Sequence, residues 1–94
     1  GIFLFHDSSL NEWSIFDAGL FVQSLMLAAH AHGLGTVPQA FLTDYSLEVK
    51  QFLGIPESKR LVLGISIGYP DTENVINTYR TTRVETEKIL RWVE

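Results

Sequence analysis

Arg80 and Arg83 stand three residues apart with Thr81 and Thr82 between them. Two guanidinium forks and two hydroxyls within four residues can hold a phosphate, best where a helix N-terminus adds free N–H groups and a positive dipole end. Such a helix is expected directly downstream, over Val84 to Val93. Glu85 and Glu87 would occupy its first turn and Lys88 and Arg91 its last, in keeping with the dipole. Two solvated arginines account for the same residues without a ligand. A second candidate is Gly33-Leu34-Gly35-Thr36-Val37-Pro38, continuing into Gln39-Ala40-Phe41. It is not a dinucleotide fingerprint, because it follows a helix and that motif must follow a strand. A helix end and a tight turn explain both glycines. A loop that leaves a buried helix with its backbone N–H groups exposed can also lie against a flat ligand, and Gln39-Ala40-Phe41 would be the segment that touches it.

The other reactive residue types form no constellation. The only histidines are His6, His30 and His32. His30 and His32 are two apart, so on a helix they point in different directions and make a poor metal pair; near a helix C-terminus they suit the dipole. His6-Asp7 has the types of a catalytic pair but reads as a solvated loop, and Ser8-Ser9 lack a nucleophile-elbow setting. Asp7, Glu12, Asp17, Asp44, Glu48 and Glu57 are scattered, without metal-like or glycosidase-like spacing. There is no cysteine, which excludes disulfides, thiol catalysis and zinc-thiolate sites. No metal site and no side-chain acid, base or nucleophile is assigned.

These residues need elements to position them. Ile2 to Phe5 is an apolar run that suits a buried strand. Ser14 is a plausible N-cap, with Asp17 in the first turn. From Ile15 to His32 almost every residue is apolar or small, and a helix without a polar face is buried on all sides. Asp17, Gln23, Ser24 and two histidines interrupt it, which favours a core helix over a membrane span. It is expected to pack on its own chain along one side and on another chain along the other, and Gly33 ends it. Gly35 to Asp44 reads as a loop or short extended stretch. Ser46 would cap a helix over Leu47 to Leu53, which Gly54 ends and Pro56 keeps from resuming. Leu61 to Ile67 is a strand covered on both faces, and Gly68-Tyr69-Pro70-Asp71 turns out of it into a polar loop.

Ninety-four residues allow one small domain, or one part of one. At 46% hydrophobic and 12% aromatic the chain can build a core. A chain so short and so apolar needs further protein to cover its surface. The net charge is −4 and no basic run exceeds Lys59-Arg60, which argues against nucleic acid or an anionic membrane as partner. The sequence begins without an initiator Met and reads as a piece of something longer. Its apolar start lacks the basic region and cleavage site of a signal peptide.

In order and spacing, four motifs together resemble the C-terminal half of the nitroreductase family of flavin enzymes. They are the helix ending Leu27-Ala28-Ala29-His30-Ala31-His32-Gly33-Leu34-Gly35-Thr36, then Leu53-Gly54-Ile55-Pro56-Glu57, then Gly68-Tyr69-Pro70, and last Asn77 to Arg83. The likeness runs from about Trp13 to Arg83. It implies an α+β fold, a central sheet flanked by helices with a long buried helix, of which residues 1–94 are the C-terminal part of one domain. It implies a cytoplasmic, intertwined homodimer with FMN at the subunit interface. NAD(P)H would reduce the flavin and leave, and an electron-poor acceptor such as a nitroaromatic or a quinone would then be reduced. Pro38, Gln39, Ala40 and Phe41 would pack on the flavin, with a backbone N–H near N5. Arg80, Thr81 and Arg83 would hold the FMN phosphate, Arg83 at the more constant position. The Arg/Ser-rich phosphate motif of the family's N-terminal half is not in this sequence. The resemblance leaves open a non-catalytic dimerisation or flavin-binding piece, and a related flavin enzyme of the dehalogenating or flavin-fragmenting type.

Overall fold

A computed structural model describes residues 1–94. Its centre is a three-stranded antiparallel sheet in the order β1-β3-β2, with β1 at Ile2–Asp7, β2 at Gly35–Gln39 and β3 at Lys59–Gly68. β3 is the central strand. Its Leu-Val-Leu-Gly-Ile-Ser-Ile run is paired on both edges, and it supplies the best-buried side chains, Leu61 and Ile65. β1 runs two residues further than its apolar run suggested, to Asp7, with a bulge between Leu4 and Phe5. Asp7 lies opposite Lys59 (3.7 Å between charges) and accepts from the Ser9 hydroxyl (2.7 Å) and backbone N–H (3.0 Å).

Residues 35–39, expected as loop or extended chain, form β2. A strand holding Pro38 survives because β2 is an edge strand, where a missing N–H need not break the ladder. Ala40–Tyr45 then winds into a 3₁₀ turn and leads directly into α2 at Ser46–Leu53. Ser46 is the first helical residue rather than the cap. Tyr45 holds the cap position without a side-chain bond. Gly54 ends α2 in the left-handed conformation, φ 68°.

The long helix, α1, spans Glu12–Ala31. It starts earlier than the apolar run because Asn11, not Ser14, is its N-cap, accepting from Trp13 N–H at 3.1 Å. Ser14 instead lies within the first turn, and its hydroxyl meets His6 Nδ1 at 2.9 Å, tying α1 to β1. The C-terminus closes as expected. Gly33 takes φ 77°, Leu34 N–H reaches Ala29 C=O (2.9 Å) and Gly33 N–H reaches His30 C=O (3.0 Å), the paired bonds of a Schellman end.

Along α1 the more buried positions are Ser14, Ala18, Val22, Leu25, Met26 and Ala29, a stripe at helical spacing. The helix packs along β2. Its other side is also apolar: Phe16, Leu20, Phe21 and Leu27 are each more than half exposed. In length and apolarity α1 would pass for a membrane span, but the stripe already serves as a core contact. The accessible surface is 7998 Å², against roughly 5,500 Å² for a compact folded monomer of this mass, 10.6 kDa. The radius of gyration is 16.8 Å, where a compact chain of this length has about 12 Å. Much apolar surface therefore stands ready for burial against other protein.

Beyond β3 the chain is mostly irregular. The helix expected over Val84 to Val93 is absent; that stretch holds only a 3₁₀ turn at Thr86–Lys88. A short helix is marginal without an apolar face packed on a core, and here Val84, Ile89, Trp92 and Val93 all lie more than 60% exposed.

Candidate functional site

The segment after α1 is held in place from below. On one face of the sheet, β2 presents Gly35, Val37 and Gln39 opposite Gly68, Ser66 and Gly64 of β3. Gly64 has no side chain, and the 3₁₀ turn uses the space: Leu42 lies over it. A β-carbon on Gly64 would collide with Leu42 Cδ1 and sit 3.3 Å from Cγ and 3.4 Å from Cβ. A lone glycine inside an apolar strand signals such a close approach, and it was the available clue to this anchor. The anchoring fixes where Ala40 and Phe41 emerge. Phe41 remains 57% exposed, a ring next to its own fold but not covered by it.

Gln39, at the end of β2, is only part-exposed. Ser66 Oγ donates to its Oε1 at 2.7 Å. Ser66 and Gln39 are diagonal neighbours on one sheet face, with Val37 opposite Ser66 and Gly64 opposite Gln39. Ser66 also lines a hollow of about 380 Å³ with Gly35, Val37, Tyr69, Pro70 and Asn77.

Arg80 and Arg83 lie on the exposed segment after β3. Arg80 Nη1 donates to the carbonyls of Asn77 (2.7 Å) and Tyr79 (3.0 Å). Arg83 Nη1 donates to Thr81 Oγ1 (3.0 Å) and Thr82 C=O (2.9 Å). Neither makes an ion pair, and the other guanidinium nitrogens have no partner in the chain. The absent downstream helix removes the dipole argument for a phosphate here; what remains is two guanidinium groups with donors to spare and the Thr81 hydroxyl. Arg80 lines a second hollow, of about 530 Å³, with Thr72 and Thr78; it shares Pro70 and Asn77 with the one beside Ser66. Pro38, Gln39, Ala40, Phe41, Thr81 and Arg83 line neither hollow.

Elsewhere there is little chemistry. No group of three His, Asp or Glu side chains could hold a metal ion. The hydroxyl and then the backbone N–H of Ser9 hold the Asp7 carboxyl below the usual carboxylate range; burial opposes them, and Lys59 adds a lesser lowering effect. His6 Nε2 is buried without a hydrogen-bond partner.

A model of the nitroreductase family matches residues 2–69, most of the chain and all three strands. The chain belongs to the nitroreductase family. Among its relatives is 4-nitrobenzoate reductase of Pseudomonas putida, 39% identical over 83 residues, which are 88% of this chain and 37% of the relative. Another is nitroreductase NfnB of Mycolicibacterium smegmatis, 40% identical over 76 residues, 81% of this chain and 32% of the relative. The crystal structure of the FMN-dependent nitroreductase NfnB from Mycobacterium smegmatis in complex with NADPH superposes with a TM-score of 0.92 at 35% identity, covering 98% of this chain and 41% of that one. The NADPH:FMN oxidoreductase of Vibrio harveyi, complexed with NAD+, superposes at 0.67 and 28% identity over 84% of this chain and 33% of that one. The chain thus spans about two-fifths or less of these relatives' length. The α+β fold, a small sheet flanked by helices, is the one its motifs implied.

Proposed function

We propose that this chain is part of an FMN-dependent oxidoreductase. It would move reducing equivalents from NAD(P)H to an electron-poor small molecule such as a nitroaromatic or a quinone, working as a cytoplasmic homodimer. The observation that carries the reading is the superposition, over nearly the whole chain, on a nitroreductase described as FMN-dependent and bound to NADPH.

The residues present fit such a cofactor in two respects. β2 is an edge strand, so its outer row of N–H and C=O groups has no strand partner. The exposed Phe41 ring follows directly, and an edge of backbone donors beside an aromatic surface suits a flat heteroaromatic ring with polar rims. Arg80 and Arg83 keep unused guanidinium donors, and charge-assisted bonds to phosphate are the stronger kind. When bound, FMN would supply the hydride-accepting and hydride-donating centre. The chain's part is to bind and orient. Pro38, Gln39, Ala40 and Phe41 hold one side of the ring, anchored by Leu42 over Gly64. Arg80 and Arg83 would neutralise the phosphate and the Thr81 hydroxyl would donate to it. The apolar outer side of α1, where Phe16, Leu20, Phe21 and Leu27 are exposed, would supply part of the dimer interface.

The test is steady-state oxidation of NADPH and NADH by the intact, FMN-loaded protein. Turnover should rise when a nitroaromatic or a quinone is added and follow parallel-line kinetics. A flavin-loaded protein that ignores both nucleotides would overturn the proposal.

A further inference from the structure

Ser66 is outside every motif that marks the family resemblance, yet it makes the one side-chain bond that joins β3 to the segment expected to face the cofactor. Its hydroxyl occupies Gln39 Oε1 at 2.7 Å. A carboxamide has one acceptor end and one donor end. With the acceptor end engaged, the end left to face a ligand is the NH₂, with two donors. Nothing nearby competes for this bond. Val37, opposite Ser66, offers no competing polar atom. Gln39 makes no other side-chain hydrogen bond.

We propose that Ser66 is a positioning residue: it orients the Gln39 carboxamide so that its NH₂, not its carbonyl, faces the bound flavin. This rests on the proposed FMN site at Pro38–Phe41. Flavin ring edges carry nitrogen and carbonyl acceptors that grow more electron-rich on reduction. A fixed donor there favours the reduced form and raises the midpoint potential. Loss of Ser66 frees the amide to turn, and the repulsive orientation becomes accessible.

The experiment uses the intact protein as wild type, Ser66→Ala, Ser66→Thr, Gln39→Ala, and Ser66→Ala combined with Gln39→Ala. Each is titrated with FMN and its flavin midpoint potential measured, after circular dichroism and elution volume confirm an unchanged fold. Ser66→Ala should weaken FMN binding roughly three- to tenfold, the range of one ordinary hydrogen bond, and shift the potential to more negative values. Ser66→Thr, which keeps the hydroxyl, should restore both. Gln39→Ala should lower the potential as well, and adding Ser66→Ala to it should change nothing further. Equal effects of Ser66→Ala with and without Gln39 would overturn the proposal, as would an unchanged potential. A wild-type protein that binds no FMN overturns the flavin reading together with it; one that binds FMN while the variants behave alike overturns only the role of Ser66.

Discussion

Gly64→Ala should dislodge the 3₁₀ turn that carries Ala40 and Phe41. The added carbon meets Leu42 at three atoms, colliding with Cδ1 and lying 3.3 Å and 3.4 Å from Cγ and Cβ. The crowding is with Cδ1 and, more mildly, Cγ, the two positions that Leu42→Ala removes; Cβ is at ordinary contact distance. Overpacking of this kind costs about 1–3 kcal/mol. Alanine in place of a strand glycine returns roughly 0.5–1 kcal/mol. The net expectation is a loss of up to about 2.5 kcal/mol. The assay is denaturant unfolding of the intact protein as a double-mutant cycle with Leu42→Ala. Leu42→Ala alone should destabilise, because the leucine covers the sheet. In the Gly64→Ala background it should cost less or even stabilise, giving a coupling of about 1–2 kcal/mol, within the range of touching residues. FMN affinity should fall in Gly64→Ala and recover in part in the double variant. Additive effects would refute the packing argument.

Three further outcomes follow from the same structure. Leu20→Asp or Leu27→Asp, on the exposed apolar side of α1, should shift the protein from dimer to monomer in sedimentation velocity; an unchanged dimer would remove α1 from the interface. Arg83→Ala should weaken FMN binding about tenfold or more, the loss of a bond to a charged group, while the dimer persists; unchanged titration curves would make Arg83 structural. The Asp7 carboxyl, depressed chiefly by the Ser9 hydroxyl, contributes stability above the ordinary carboxylate range and loses it as pH falls through its lowered folded value. Ser9→Ala should therefore raise the Asp7 pKa toward the ordinary value in an NMR titration, and an unmoved titration would contradict that cause.

Where one local signal dominated, the sequence was a good guide. The all-apolar run with Gly33 behind it became α1 with a Schellman end, and the run Leu61 to Ile67 became the central strand. Where local signals competed, it was not. Asn11 and Ser14 both suit an N-cap; Asn11 took the role because Ser14 is drawn to His6, eight residues back on β1. Gly35 to Asp44 read as loop or short extended chain, and the edge position, a tertiary fact, is what lets 35–39 form a strand with Pro38 in it. Charge placement favoured a helix over Val84 to Val93, but charge pairs are worth tenths of a kcal/mol and cannot order a segment whose apolar residues find no cover. At the proposed site, the sequence singled out Pro38 to Phe41 and the arginines as candidates. It did not indicate what holds them. Leu42 over Gly64 and Ser66 on Gln39 are cross-strand relations that need the register of β2 on β3.

The most direct test is an FMN titration of the intact protein, followed by flavin fluorescence and by the absorbance band of the bound cofactor. Saturable quenching at one FMN per subunit, weakened in the Arg83→Ala variant, is the predicted result. A correctly folded dimer that leaves FMN fluorescence unchanged would contradict the account.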